Sequence, residues 1–405
     1  MPVRTALSVW PLFLGLSLIG LAVGVQGSLL GVRAELEGFE DFLIGLLMSC
    51  YFAGFLGGSM LAPRIIERVG HIRIFAAVAS VTILVHALYV DPWAWAAMRL
   101  LTGFAFSCIY VASESWLNQA SSNETRGQIL AIYMTILLAG VCAGQFLLNV
   151  ADPQDFTLFI LISVMVSVAA VPILLTVIAT PHIEETERVS IAHLWRRAPM
   201  GVIGIILSQW MASVVFGMGA VYATKMGMSV SEVAFFMGSM MAGGMILQWP
   251  LGKLSDHMDR RWVLGGASIV ALIAALAASG ETVASDKLYI LAFVFGGFCL
   301  SLYSIVAALT NDHLRPSEIV PASGTMVLLA GLTSITGPIT VAFCMDVFGL
   351  DSFFLVLAVA LFFMAVISIW RVLTIPALPE EYKTLSSIQV ATNPVGTVLH
   401  AEEEH

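Results

Sequence analysis

The chain has 405 residues, of which 59% are apolar and 11% are charged, with a mean hydropathy of +0.93. A soluble globular domain carries roughly 25% charged residues, so this composition excludes an ordinary soluble enzyme, a disordered chain and a coiled coil. The formal net charge is -9 and no basic cluster is present, which argues against nucleic-acid binding. The remaining class is a polytopic helical protein embedded in a lipid bilayer.

Twelve segments are long and apolar enough to cross a membrane, since one crossing needs about 20 apolar residues. Short connections between most of them make neighbouring spans antiparallel. The predicted fold is therefore all-α, with twelve transmembrane helices. The predicted spans are 7–30, 42–62, 72–90, 93–119, 126–149, 156–179, 199–224, 231–251, 262–280, 288–311, 318–345 and 351–374.

Positive charges fix the predicted orientation. Arg33, Lys225 and Lys287 fall on one side of the twelve spans and Arg99 lies within a span, whereas all other Lys and Arg residues fall on the side that holds both termini. Cytoplasmic loops carry such an excess of Lys and Arg. We therefore expect a multi-pass protein of the bacterial cytoplasmic (inner) membrane with both termini in the cytoplasm.

One long polar break divides the chain into six spans and six. It predicts a first bundle over 1–179, a cytoplasmic linker over 180–198, a second bundle over 199–374 and a flexible tail over 375–405. Residues 48–54 align with 237–243 and residues 103–107 with 297–301, in the same order. Weak internal similarity of this kind is typical of transporters built from repeats, so we predict two pseudo-symmetric six-helix bundles.

Loop motifs after the second and eighth spans indicate a family. Residues 252–261, Gly-Lys-Leu-Ser-Asp-His-Met-Asp-Arg-Arg, resemble the G-x-L-x-D-x-x-G-R-R signature of the major facilitator superfamily, with Asp259 in place of Gly. Residues 63–71 fit the same template more loosely. Arg99 and Gly103 resemble the family's R-x-x-x-G signature in the fourth span. The resemblance covers nearly the whole chain and implies the major facilitator fold.

A narrower resemblance concerns the branch of that superfamily. Residues 114–118, Glu-Ser-Trp-Leu-Asn, together with Arg126-Gly127 and residues 311–313, Asn-Asp-His, are similar to the YcaD-like branch. The substrates of that branch are largely unassigned. The resemblance therefore supports the fold but does not identify the solute.

The charged residues of the loop motifs are candidates for a cytoplasmic gate. An acidic residue at a helix end can face the positive N-terminus of a neighbouring helix, and charges beside it can latch the helix ends together. The alternative is that these residues are only positive-inside anchors of the topology. The predicted gate residues are Glu67, Arg68, Asp256, Arg260, Arg261 and Arg126.

Charged residues within or beside the apolar spans are candidates for proton coupling. Glu114 lies in the fourth span, where an ionisable group is costly and usually functional. A carboxyl group held away from water binds its proton more tightly, which suits a proton carrier. Arg99 and Asp312 are further candidates. The alternatives are that Glu114 locks two helices or touches the solute, and that Arg99 and Asp312 lie at helix ends near the headgroups.

Polar and aromatic side chains within spans are candidates for the solute cavity, although each also has a plain interpretation as a helix–helix contact. The first and seventh spans are expected to line a central cavity in the implied fold. The candidates are Gln26, Tyr110, Gln209, Trp210, Tyr303 and Asn311.

The function that these features predict is a proton-coupled secondary active transporter of a small organic solute, working as a monomer by alternating access. A lipid or amphiphile flippase and a non-transporting membrane sensor are the alternatives. The chain has no P-loop and no hydrolase motif, and its five cysteines fall within spans without a CxxC pair. We therefore expect no enzymatic activity, no metal and no cofactor, with the proton gradient as the driving force.

Overall fold

The computed structural model describes residues 10–69, 72–120, 126–175, 189–281 and 283–376. Within these ranges the chain is helical and has no strand. Its first half forms α1 (Trp10–Leu36), α2 (Asp41–Val69), α3 (Ile72–Leu88), α4 (Pro92–Ala120), α5 (Arg126–Phe146) and α6 (Thr157–Leu175). After a short linker helix, α7 (Ile191–Arg197), its second half forms α8 (Pro199–Lys225), α9 (Val230–His257), α10 (Arg260–Ser279), α11 (Asp286–Asn311), α12 (Pro316–Phe348) and α13 (Ser352–Thr374).

The twelve predicted spans correspond to the twelve membrane helices. Ten described helices are long and apolar enough to cross a bilayer, and two shorter apolar helices, Ile74–Leu88 and Thr157–Val171, cover the third and sixth predicted spans. Helix ends differ slightly from the prediction; α1, for example, continues to Leu36 instead of ending at residue 30. The predicted all-α fold with twelve membrane helices is confirmed.

Helix termini follow from local sequence. Ser229 begins α9 with a capping box, in which its hydroxyl accepts from the Glu232 amide and the Glu232 carboxylate accepts from the Ser229 amide. Asp259 begins α10 by accepting from the Arg261 amide at 3.0 Å. Ser190 caps the linker helix α7 in the same way. These caps set where each helix enters the bundle.

Close helix crossings repeat in the two halves. On Gly54 or Gly103, an added Cβ would overlap a backbone oxygen across the α2–α4 crossing. Gly243 has the same relation to α11 in the α9–α11 crossing, and a Cβ on Gly297 would overlap a side chain of α9. Glycine permits such close approach between membrane helices. The paired positions are the ones that the internal repeat aligned.

Short connections make consecutive membrane helices antiparallel, so α1 begins and α2 ends where α7 lies. We call this the linker end and the other the opposite end. At the opposite end the two halves pack closely: Gly45 of α2 lies against Pro338 of α12, and Phe146 of α5 makes an edge contact with Phe235 of α9 at 5.5 Å between ring centroids. Large apolar side chains are exposed around the outer surface, where they suit contact with lipid.

Candidate functional site: a central cavity

A cavity of about 200 Å³ lies between the two halves. Four helices of the first half, α1, α2, α4 and α5, and four of the second, α8, α9, α11 and α12, line it. One water molecule requires roughly 10–15 Å³, so the cavity has room for a small organic molecule. The remaining membrane helices stand outside it.

Four of the six predicted cavity residues line this space: Gln26, Tyr110, Gln209 and Tyr303. Trp210 is not among the lining residues, and its carbonyl lies against Gly337 of α12. Asn311 lies at the linker end of α11, about 12 Å along the axis from Tyr303, and is not among the lining residues.

Arg99 lies in the cavity wall. Its side chain is buried, with its guanidinium carbon 4.5 Å from the centroid of the Tyr51 ring and its Nη2 3.5 Å from the Met48 sulfur. In the part of the chain that the structure describes, no carboxylate pairs with Arg99, and its Nε has no hydrogen-bond partner. The aromatic face holds the cation in place without neutralising it.

The polar side chains of the cavity fall into two groups. Gln145 is satisfied within the first half, because its Nε2 donates to the Gly24 carbonyl at 2.9 Å and its Oε1 accepts from the Ser28 hydroxyl at 2.5 Å. Gln26 Nε2 and the Tyr303 hydroxyl, like Arg99 Nε, are buried without a partner. Buried polar groups in proteins are normally paired, so these three donors mark a place where a ligand fits.

Glu114 is buried outside the cavity lining. The Tyr133 hydroxyl of α5 donates to its Oε1 at 3.1 Å, while its Oε2 has no hydrogen-bond partner. Tyr110 is turned by about 20° from Arg99 around α4, whereas Glu114 is turned by about 60°. That rotation directs Glu114 towards α5 and away from the space that Arg99 and Tyr110 line.

Asp312 belongs to an ion-pair network at the linker end of the second half. Arg260 donates from Nε to Asp312 at 2.7 Å, and from Nη1 to Asp256 at 2.9 Å and to the Ser255 hydroxyl at 3.0 Å. The Arg260 side chain is 2% exposed and that of Asp312 5%. These contacts between described residues join α9, α10 and α11 of the second half.

Arg261 also lies in the second half. It pairs with Asp259 at 2.6 Å and donates to the carbonyls of Arg371 and Ile375 at the end of α13. The side chains of the other predicted gate residues, Glu67, Arg68 and Arg126, lie outside the described ones. The gate remains a prediction.

An ion-pair cluster at the opposite end joins the two halves, and sequence reasoning missed it. Lys225, at the end of α8, pairs with Asp41 of α2 at 2.7 Å and with Glu35 of α1 at 3.2 Å. At the same end, the Ser231 hydroxyl donates to the Asn149 side-chain oxygen at 2.7 Å, again between the halves. Lys225 was visible in the sequence as one of three cations on that side, but no spacing rule connects it to residues almost 200 positions earlier.

Tyr51 and Tyr133 are two further residues that sequence reasoning passed over. Each contacts one of the intramembrane charged residues from a neighbouring helix, Tyr51 at Arg99 and Tyr133 at Glu114. The only signal available was their type, since tyrosine pairs an apolar ring with a polar tip.

Comparison with known proteins places the chain in a family. The sequence model of the Major Facilitator Superfamily matches residues 12–279 and 201–399. The chain belongs to this superfamily. It is 27% identical over 349 residues to the uncharacterized MFS-type transporter YcaD of Escherichia fergusonii, covering 85% of this chain and 90% of the relative. It is 28% identical over 360 residues to the uncharacterized MFS-type transporter YE1530 of Yersinia enterocolitica, covering 86% and 91%.

Solved structures share the fold of this superfamily member. A mutant of the nucleoside transporter NupG superposes with a TM-score of 0.75 at 14% identity, covering 90% of this chain and 100% of that one. A bacterial homologue of the lysosomal transporter Spinster, in an inward-facing and unoccupied conformation, gives 0.74 at 14% identity, covering 90% and 96%. The predicted membership of the YcaD-like branch is confirmed, and the chain is a multi-pass membrane transporter for a small-molecule solute.

Proposed function

We propose that this protein is a secondary active transporter that moves a small organic solute by alternating access and uses the proton gradient. The central cavity carries the proposal, because four helices from each half enclose it and it has room for a small organic molecule. The two halves of one chain complete the cavity, so the proposed working unit is a monomer. The mechanism needs no enzymatic step, metal or cofactor.

The packing of the two halves supports alternating access. The excess of Lys and Arg at the linker end supports a cytoplasmic location for that end and for both termini, in the inner membrane of a bacterium. The opposite end then faces outwards, and the ion pairs of Lys225 with Asp41 and Glu35 close the outward path. We infer an inward-facing state, the state in which the Spinster homologue of the same fold was solved.

Glu114 is the proposed proton-coupling residue. It is a buried carboxyl group with one oxygen bound by Tyr133 and the other without a partner, and an intramembrane acid is by default a functional residue. Its place outside the cavity lining would give the proton and the solute separate sites. Asp312 is a weaker candidate because Arg260 already pairs with it, and Arg99 lies in the solute cavity itself.

A gradient-driven uptake experiment tests the proposal. Purified protein in liposomes is exposed to a broad solute mixture with and without an imposed pH gradient, and the internal solutes are measured by mass spectrometry. We expect one class of solute to accumulate only with the gradient, and Glu114→Gln to abolish accumulation. Glu281→Gln, which changes an acid in the α10–α11 loop that pairs with Lys287, is the matched control and keeps accumulation.

Other outcomes distinguish the remaining functions. Accumulation that ignores both the gradient and Glu114→Gln would contradict proton coupling and leave facilitated diffusion. Movement of a fluorescent lipid between leaflets, without movement of any soluble solute, would favour a flippase. No movement of either kind would favour a non-transporting sensor of the same fold.

A further inference from the structure

We propose that the solute is an organic anion, a carboxylate or phosphate on an apolar body, whose charged group binds Arg99 in the central cavity. The inference names the solute class of the proposed transporter and rests on that proposed function for transport. Binding itself is independent of proton coupling and can be tested separately.

The first argument for an anionic solute is the charge of the cavity. Arg99 is the only charged residue among those that line it within the described part of the chain. Its side chain is buried, and its described contacts are with Tyr51 and Met48 and not with a carboxylate. A buried charge without a partner is unfavourable, and the ring of Tyr51 compensates it only in part. An anion entering the cavity supplies the missing charge.

The unpartnered hydrogen-bonding groups carry the second step. Gln26 Nε2 lies on α1 in the first half and the Tyr303 hydroxyl on α11 in the second, and both are buried without a partner in the same cavity as Arg99 Nε. All three are able to donate. A ligand rich in acceptor oxygens satisfies donors from both halves at once. A cationic ligand, in contrast, would be repelled by the positive charge of Arg99.

The rest of the wall carries the third step. Phe52, Phe55 and Phe216 provide aromatic surface, and Met241 and Met245 provide flexible apolar surface. A small inorganic anion would leave this surface uncovered. A charged head with an aromatic or short aliphatic body fits both the donors and the apolar wall.

Ligand binding by purified full-length protein in lipid nanodiscs tests the inference, with thermal stabilisation and its concentration dependence as the readout. The probes are benzoate, indole-3-acetate, phenyl phosphate and decanoate, with benzamide, indole-3-acetamide and benzylamine as neutral and cationic counterparts. We expect at least one anion to raise the melting temperature while its neutral counterpart and benzylamine do not. The ranking of the four anions separates carboxylate from phosphate and a compact body from an amphiphilic chain.

Variants locate the site. Arg99→Gln is expected to weaken the binding of the preferred anion by about tenfold or more, and Arg99→Lys by less, since it keeps the charge. Gln26→Leu and Tyr303→Phe, which each remove one unpartnered group, should each weaken binding by roughly fivefold. Arg196→Gln removes an exposed cation of the linker helix α7 and should leave affinity unchanged.

The inference is overturned if no anion in the set binds, if the neutral counterparts bind as well as the acids, or if Arg99→Gln retains full affinity. Should Arg99→Gln fail to fold, unchanged affinity in both Gln26→Leu and Tyr303→Phe also overturns it. Anion binding without gradient-driven uptake leaves this inference standing and contradicts the proposed function. Gradient-driven uptake of a neutral or cationic solute would contradict this inference and support the proposed function.

Discussion

The fourth and tenth membrane helices, α4 and α11, hold equivalent places in the two halves but carry their charges differently. The offset of 194 residues that aligns Gly103 with Gly297 also aligns Arg99 with Phe293 and Glu114 with Ala308. The first half therefore places a cation and an acid inside the membrane, where the second half has apolar side chains. In the second half Asp312, which directly follows the last residue of α11, is paired with Arg260.

The two arrangements have different energetic consequences. Asp312 pairs with Arg260 and the described contacts of that pair join helices of the second half, as a structural ion pair does. Arg99 and Glu114 each keep at least one polar atom without a partner. Each can therefore still form a hydrogen bond with a ligand that enters the protein. Among the described residues, the charged side chains inside the membrane that keep an unpartnered polar atom therefore lie in the first half.

The largest expected contrast is in stability. Asp312→Asn removes one of the two carboxylates that pair with the buried Arg260, and loss of one partner of a buried pair costs up to about 3–5 kcal/mol. Arg99→Gln is expected to keep or raise the melting temperature, because the desolvation cost of an unpaired buried charge, several kcal/mol, exceeds a cation–π interaction of about 2 kcal/mol. Thermal unfolding of both variants in the same detergent measures the contrast.

Asp256→Asn is the control within the network. Its side chain is 20% exposed, against 5% for Asp312, so its loss should lower the melting temperature less. The comparison between the halves breaks down if Arg99→Gln unfolds more easily than Asp312→Asn.

A second contrast concerns the α2–α4 crossing at Gly103, which lies between Arg99 and Tyr110 in the sequence of α4. In Gly103→Ala the new methyl group would overlap the backbone of α2, and such overpacking costs about 1–3 kcal/mol. Gly252→Ala, in α9, meets open space and should stabilise by about 0.5–1 kcal/mol, because alanine loses less backbone entropy than glycine.

Melting temperatures of the two glycine variants provide the measurement, and Gly243→Ala extends it to the second half. Since Gly243 makes the equivalent close approach to α11, Gly243→Ala should lower the melting temperature as much as Gly103→Ala does. An unchanged melting temperature in Gly243→Ala would show that the two crossings are not equivalent.

The smallest expected effect is at the opposite end. Lys225→Gln removes two ion pairs between the halves, and partly exposed pairs contribute about 0.5 kcal/mol each, or about 1 kcal/mol together. The population open to the outside should therefore rise by up to roughly fivefold. The measurement is the rate at which an impermeant maleimide, added outside, labels Ala212→Cys in the cavity wall, in a background whose five native cysteines are replaced by alanine.

Lys287→Gln is the matched control for the opposite end. Lys287 pairs with Glu281 within the second half, so its loss should leave the labelling rate unchanged. Equal rates for the two lysine variants would exclude the Lys225 cluster as an outward latch.

The sequence alone determined the architecture of this protein. Runs of about 20 apolar residues have one stable form in a bilayer, the helix, because every backbone polar group there must be satisfied within its own segment. That constraint is local, so the twelve helices follow from the spans and the family follows from loop motifs that lie close together in the chain. Arg99 and Glu114 were recognisable for the same reason, since a charge within an apolar run is rare.

What each of these residues faces depends on the packing of the helices against one another. Helical periodicity sets angles between side chains on one helix, but the rotation of that helix against its neighbours depends on packing, here on crossings such as Gly54 and Gly103. That rotation puts Gln209 in the cavity and Trp210 outside it, and it directs Glu114 to Tyr133 instead of the solute site. The partners of Asp312 and Lys225 lie far away in the chain, and no local sequence pattern predicts such contacts.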